Sequence, residues 1–122
     1  SWTCYALPAC TEPTTQPSGI SFASIATNSM QVSWTDAGDG NGQIVIIRAS
    51  SAVTSDPTSG TAYTANASYS SGSDIGTSEY VVYKADAGPV TVTNLSPGTT
   101  YHYSIFEYNT YRLRGANQCY IN

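Results

Sequence analysis

From Ile20 onward no stretch of the chain sustains a helical period; short segments of alternating apolar and polar residues follow one another, divided by clusters of Gly, Pro, Asn and Asp. A chain punctuated in this way buries its apolar residues by stacking sheets. The fold class expected is therefore all-β, an antiparallel β-sandwich. The clearest alternation is Met30 to Thr35, where Met30, Val32 and Trp34 face one way and Gln31, Ser33 and Thr35 the other. Further strands are expected at Ile20 to Ala26, Gln43 to Ala49, Tyr80 to Lys84, Val90 to Leu95, Thr100 to Tyr108 and about Arg112 to Ile121. The run Ile44-Val45-Ile46-Ile47 is apolar on both faces, as befits a strand that is central or covered. Residues 1–19 read as an extended leader, because Pro8, Pro13 and Pro17 are interleaved with Thr, Glu, Gln and Ser, and residues 20–122 read as one sandwich.

Two stretches resemble a known family. Met30-Gln31-Val32-Ser33-Trp34 is similar to the second strand of fibronectin type III domains, with its core tryptophan, and Leu95-Ser96-Pro97-Gly98-Thr99-Thr100-Tyr101, continuing to Ile105 and Asn109, resembles the corner and strand that follow. The resemblance covers about residues 20–115 and implies an immunoglobulin-like β-sandwich. It implies that Tyr101 is the tyrosine of a tyrosine corner, its ring at the core edge and its hydroxyl bonded to backbone a few residues upstream. Within the family, the variety found in secreted bacterial multidomain proteins carries a long insert after the third strand, which Ser55 to Asn66 and Gly76 to Tyr83 resemble. The leader with Cys4 and Cys10, and the end from Gly115 to Asn122, match nothing in the family pattern, and no Arg-Gly-Asp tripeptide is present. Strand alternation puts Val32, Trp34, Ile44, Ile46, Leu95, Tyr101, Tyr103 and Ile105 in the core between the sheets.

Composition narrows the function classes. Charged residues are 10% of the chain, against roughly 25% in ordinary soluble domains, which suits the cell exterior. The net charge is −4 and the only basic residues are Arg48, Lys84, Arg112 and Arg114, so no basic stripe exists to neutralise phosphates, and nucleic acid is not an expected partner. No apolar run approaches the roughly 20 residues that cross a bilayer as a helix. The chain begins at Ser1, as expected of a mature exported protein or an excised module. Cys4, Cys10 and Cys119 are odd in number, which outside the cell points to an intermolecular bond or a Cys4–Cys10 loop with Cys119 left over.

Little in the sequence points to chemistry. The single His102 alternates with Tyr101 and Tyr103 and is expected on the face opposite the core. The acids are scattered singly through turns apart from Asp36 and Asp39, and neither a nucleophile with its base nor a facing pair of carboxylates is visible. The loop Asp36-Ala37-Gly38-Asp39-Gly40-Asn41-Gly42 lacks the alternating ligands and closing Glu of a calcium loop and reads better as a Gly-rich turn. With no CxxC pair and one His, no metal site or cofactor is expected. The ten tyrosines raise glycan binding as an alternative, although several fall at core positions.

The function expected is thus non-catalytic, a secreted or cell-surface structural or adhesive module. Its partners are expected to be copies of itself or neighbouring domains, joined head to tail through Trp2, Cys4, Tyr5, Leu7, Cys10, Cys119 and Tyr120. A spacer or targeting module of a larger secreted protein and a glycan-binding module are the alternatives. A second interaction surface is expected on the outer face, where a short hairpin loop would set Arg112 and Arg114 across from Tyr108 and Phe106.

Overall fold

The computed structural model describes residues 13, 15–36, 40–86, 88–110 and 118–120, and of 110 and 118–120 the backbone alone. Seven strands form two antiparallel sheets: β1 (Ser18–Ala23), β2 (Met30–Thr35), β3 (Gly42–Ala49), β4 (Glu79–Ala85), β5 (Val90–Val92), β6 (Tyr101–Thr110) and β7 (Gln118–Tyr120). One sheet has the order β1-β2-β5 and the other β4-β3-β6-β7. This is the sandwich that the resemblance implies, and no helix is found among the described residues. The corner also forms as expected, for the Ser96 N–H donates to the Tyr101 hydroxyl at 2.8 Å.

Between the sheets lie Val32, Val90 and Val92 from one side and Val45, Ile47 and Val82 from the other, closed at one end by Leu95. Met30, Trp34, Tyr101, Tyr103 and Ile105 pack against them, as the alternation of β2 and β6 requires. The expectation for β3 is corrected. Ile44 and Ile46 are fully buried, but on the opposite face, with Val81, Phe106 and Tyr108, while Val45 and Ile47 take the places between the sheets. An unbroken apolar run has no phase of its own. The one phase signal, polar Gln43, misleads because its side chain is buried: its Nε2–H donates to Glu107 Oε1 at 3.1 Å, and its Oε1 accepts from the Trp34 indole N–H at 3.3 Å. With both ends of the amide satisfied, burial costs little.

A second core exists because residues 50–78 fold back over the outer face of the four-stranded sheet. Val53, Tyr63, Ala65 and Ile75 cover Ile44, Ile46, Val81, Phe106 and Tyr108. The same excursion runs beside the free edges of β4 and β5. The Asn66 N–H donates to the Val81 carbonyl, the Val81 N–H to Ser73, the Thr93 N–H to Ala67 and the Tyr69 N–H to Thr93. The approach is close enough to demand glycine at one point, since a Cβ on Gly72 would lie 2.0 Å from the Val81 carbonyl oxygen. Tyr69 then wedges edge-on between Tyr80 and Tyr101, at 5.3 Å from each ring.

In the last pair of strands Tyr108 pairs with Tyr120, Asn109 with Cys119 and Thr110 with Gln118. Arg112 and Arg114, expected across from Tyr108 and Phe106, lie outside the described residues.

Candidate functional site

Two buried carboxylates are the strongest chemical features, and each is engaged in holding the fold. Glu79, 1% exposed, accepts hydrogen bonds from the N–H of Thr54, Ser55 and Thr77 and from the Ser55 hydroxyl. Burial alone would raise its pKa. The four donors outweigh it and hold the carboxyl at about 2, so both ends of the excursion are tied to an anion at the start of β4. Glu107 takes the Gln43 amide at the other end of β3 and on the other face of that sheet. The two acids therefore do not converge on one substrate, as paired general acid and base must. His102 lies opposite Arg48 on the outer face, half-buried.

The flank between β1 and β6 is different. Among the described residues β7 pairs with β6 from Tyr108 to Thr110. Beyond that, the Glu107 N–H points away from β3 and donates to the side chain of Gln16, just ahead of β1, at 3.0 Å. Strand geometry repeats every second residue, so the N–H and C=O of Ile105, Tyr103 and Tyr101 point the same way as those of Glu107. None of the described residues pairs with them.

Facing this edge across the sandwich is β1, which is paired only to β2 and exposed along its whole length. A bulge between Ser18 and Ser21, where Gly19 has a φ of 62°, turns its start. Ile20 is 43% exposed and Phe22 45%, although Phe22 leans on Tyr103 with ring centroids 5.3 Å apart. Between the two strands lies a cleft of about 200 Å³ lined by Pro17, Ile20, Trp34, Tyr103 and Ile105. The Tyr103 hydroxyl is buried there with no hydrogen-bond partner. Its pKa is raised, chiefly by burial and secondly by the neighbouring Tyr101. An unpaired buried hydroxyl costs about 1–3 kcal/mol.

Of the residues expected to act, Trp2, Cys4, Tyr5, Leu7, Cys10, Arg112 and Arg114 lie outside the described residues. Cys119 and Tyr120 belong to β7. Phe106 and Tyr108 do face outward, but they are 9% and 8% exposed under the excursion and offer no open surface. A cation does approach Tyr108: it is Lys84, with Nζ 5.9 Å from the ring centroid. What the sequence reading missed is the open edge of β6.

A family model, that of the N-terminal domain of purple acid phosphatase, matches residues 16–117. Among solved structures, a fibronectin type III domain of human collagen XX aligns with a TM-score of 0.50 and 18% identity, over 95% of this chain and 98% of that one. At that identity the likeness shows the fold alone. No curated protein sequence matches. Both matches are to fibronectin-like sandwiches, a fold that typically serves as a non-catalytic module.

Proposed function

The chain belongs to the family of purple acid phosphatase N-terminal domains, and from that premise we propose that it is a non-catalytic module that works outside the cell by joining chains. The observation that carries this reading is the inequality of the two flanks. Folded proteins blunt a free sheet edge with charge, proline or a covering segment. Here the β4 and β5 edges are covered by residues 50–78. Among the described residues none pairs with the outer edge of β1 or with that of β6 from Tyr101 to Ile105, and from Pro13 to Thr35 the chain carries no charged side chain. An unguarded edge next to an apolar cleft is the form that strand addition requires. The low charge and the three cysteines support a location outside the cell, where a bond through Cys4, Cys10 or Cys119 would make such a joint permanent.

Sedimentation velocity of the purified chain across a range of concentrations, with and without reductant, tests the reading. Concentration-dependent growth beyond the 12.9 kDa monomer supports it; a single monomeric species throughout rejects it. The family name favours a second reading, a spacer ahead of another domain, for which the isolated chain stays monomeric and its flank is covered only by its own neighbour in a longer polypeptide. Glycan binding is less favoured, because the described aromatics pair with one another: Trp34 with Tyr83, Phe22 with Tyr103, and Tyr69 with Tyr80 and Tyr101.

A further inference from the structure

We propose that Asn66 is a glycosylation site, its side-chain amide nitrogen taking an oligosaccharide from a lipid-linked donor and so placing a glycan on the closed flank. The inference rests on the reading that the chain works outside the cell, and it names the covalent mark that export would leave. The triplet Asn-X-Ser/Thr, with X other than proline, occurs as Asn66-Ala67-Ser68 and as Asn94-Leu95-Ser96. In a chain rich in Ser and Thr such triplets also arise by chance. The case for either therefore falls to what its side chain does in the fold.

Asn66 stands between two residues that are turned inward. Ala65 packs against the core beneath the excursion and Ala67 against the core between the sheets. Backbone bonds hold the stretch in place, the Asn66 N–H on the Val81 carbonyl and the Thr93 N–H on the Ala67 carbonyl. With both neighbours committed to the interior, the Asn66 side chain is sent into solvent. Its Oδ1 accepts the Ser68 N–H at 2.9 Å, which fixes the amide plane, and no described residue accepts from its Nδ2, the atom that would carry the sugar. A glycan there leaves Oδ1 an acceptor, so the Ser68 contact survives. Asn94 differs. Its Nδ2 donates to the Tyr69 carbonyl at 3.2 Å, beside the turn that sets the Tyr69 ring between Tyr80 and Tyr101, and a bulky group on that nitrogen would crowd the contact. In the transfer, Nδ2 of Asn66 attacks the anomeric carbon of the donor sugar. The C–N bond forms as the C–O bond to the lipid pyrophosphate breaks, the pyrophosphate leaves with the electron pair, and one amide proton passes to a base of the transferase. The hydrophilic group so attached stands beside the β4 and β5 edges and adds to their cover, on the flank opposite β1 and β6.

Trypsin separates the two candidates. Cleavage after Arg48, Lys84 and Arg112 puts Asn66, as the sole asparagine, in peptide 49–84 and Asn94 in peptide 85–112. In mass spectra of the chain isolated from outside the cells that make it, peptide 49–84 should appear as a ladder of sugar additions and peptide 85–112 at its bare mass. Peptide-N-glycosidase should collapse the ladder and leave a carboxylate at position 66. Made in the same cells, Asn66→Gln should lose the ladder and Asn94→Gln should keep it. Both peptides bare in the exported chain would overturn the glycan while leaving the extracellular reading intact. A glycan on peptide 85–112 alone would overturn the choice of Asn66. Bare peptides in a chain retained inside the cell would overturn both the glycan and the reading it rests on.

Discussion

The two flanks of this sandwich solve the same problem in opposite ways. At β4 and β5 the free edges are sewn shut by backbone hydrogen bonds from residues 66–73, and the excursion that supplies them is anchored by a buried carboxylate and its own apolar core. At β1 and β6 no described residue covers the edge, Ile20 and Phe22 are half-exposed and a tyrosine hydroxyl is unsatisfied. Both flanks come from one chain with one composition, so the difference is not hydrophobicity. At the closed flank it lies in the long connection after β3, which returns over the edge. After β3 the chain has residues 50–78 with which to cover the edge.

Breaking the anchor of the closed flank should have the largest effect. Glu79→Ala strands the N–H groups of Thr54, Ser55 and Thr77 and frees both ends of the excursion, for an expected loss of about 3–5 kcal/mol in urea unfolding. Acid should undo the same anchor. The Glu79 carboxyl sits at about 2 when folded against an ordinary 4.5. Its contribution, about 3 kcal/mol, is present in full above pH 4.5 and lost as the pH falls from there through about 2. Stability measured along that window should fall in the parent, and the part due to Glu79 should be missing in Glu79→Gln. Ile46→Ala, in the core beneath the excursion, should cost about 2–4 kcal/mol. Phe22→Ala on the open flank should cost only about 1 kcal/mol in the dissociated chain, because nearly half the ring is already in water. The smallest effect belongs to Ile25→Ser, at 70% exposure, where a change within about 0.5 kcal/mol is expected. A Phe22→Ala loss as large as that of Ile46→Ala would erase the distinction between the flanks.

The fold was readable where one physical signal acted alone. Met30 to Thr35 alternates cleanly and forms β2 with those bounds, and Leu95 to Tyr101 forms the corner with the expected bond. Reading failed where a signal had no phase or depended on distant partners. Nothing local in Ile44-Val45-Ile46-Ile47 says which pair faces the other sheet; that depends on Gln43 finding Glu107 and Trp34, which lie 64 and 9 residues away. In the sequence Phe106 and Tyr108 read as an outer interaction surface, because an excursion of polar residues gives no hint of returning to cover them. Glu79, which makes it return, is a single acid among turns until its donors are seen. The open flank was hidden for a related reason. The place of the last strand depends on its register, and only the pairing of Tyr108 with Tyr120 shows that the described part of β7 lies against Tyr108 to Thr110.

Amide hydrogen exchange of the chain at a dilution where it is monomeric tests the inequality of the flanks most directly. On β4 and just past β5 the amides of Val81 and Thr93 donate to Ser73 and Ala67 of the excursion and should exchange slowly. On β6 the amides of Tyr103 and Ile105, equally central in their strand, should exchange at rates near those of exposed backbone, because no described group accepts from them. Protection of Tyr103 and Ile105 equal to that of Val81 and Thr93 would contradict the account.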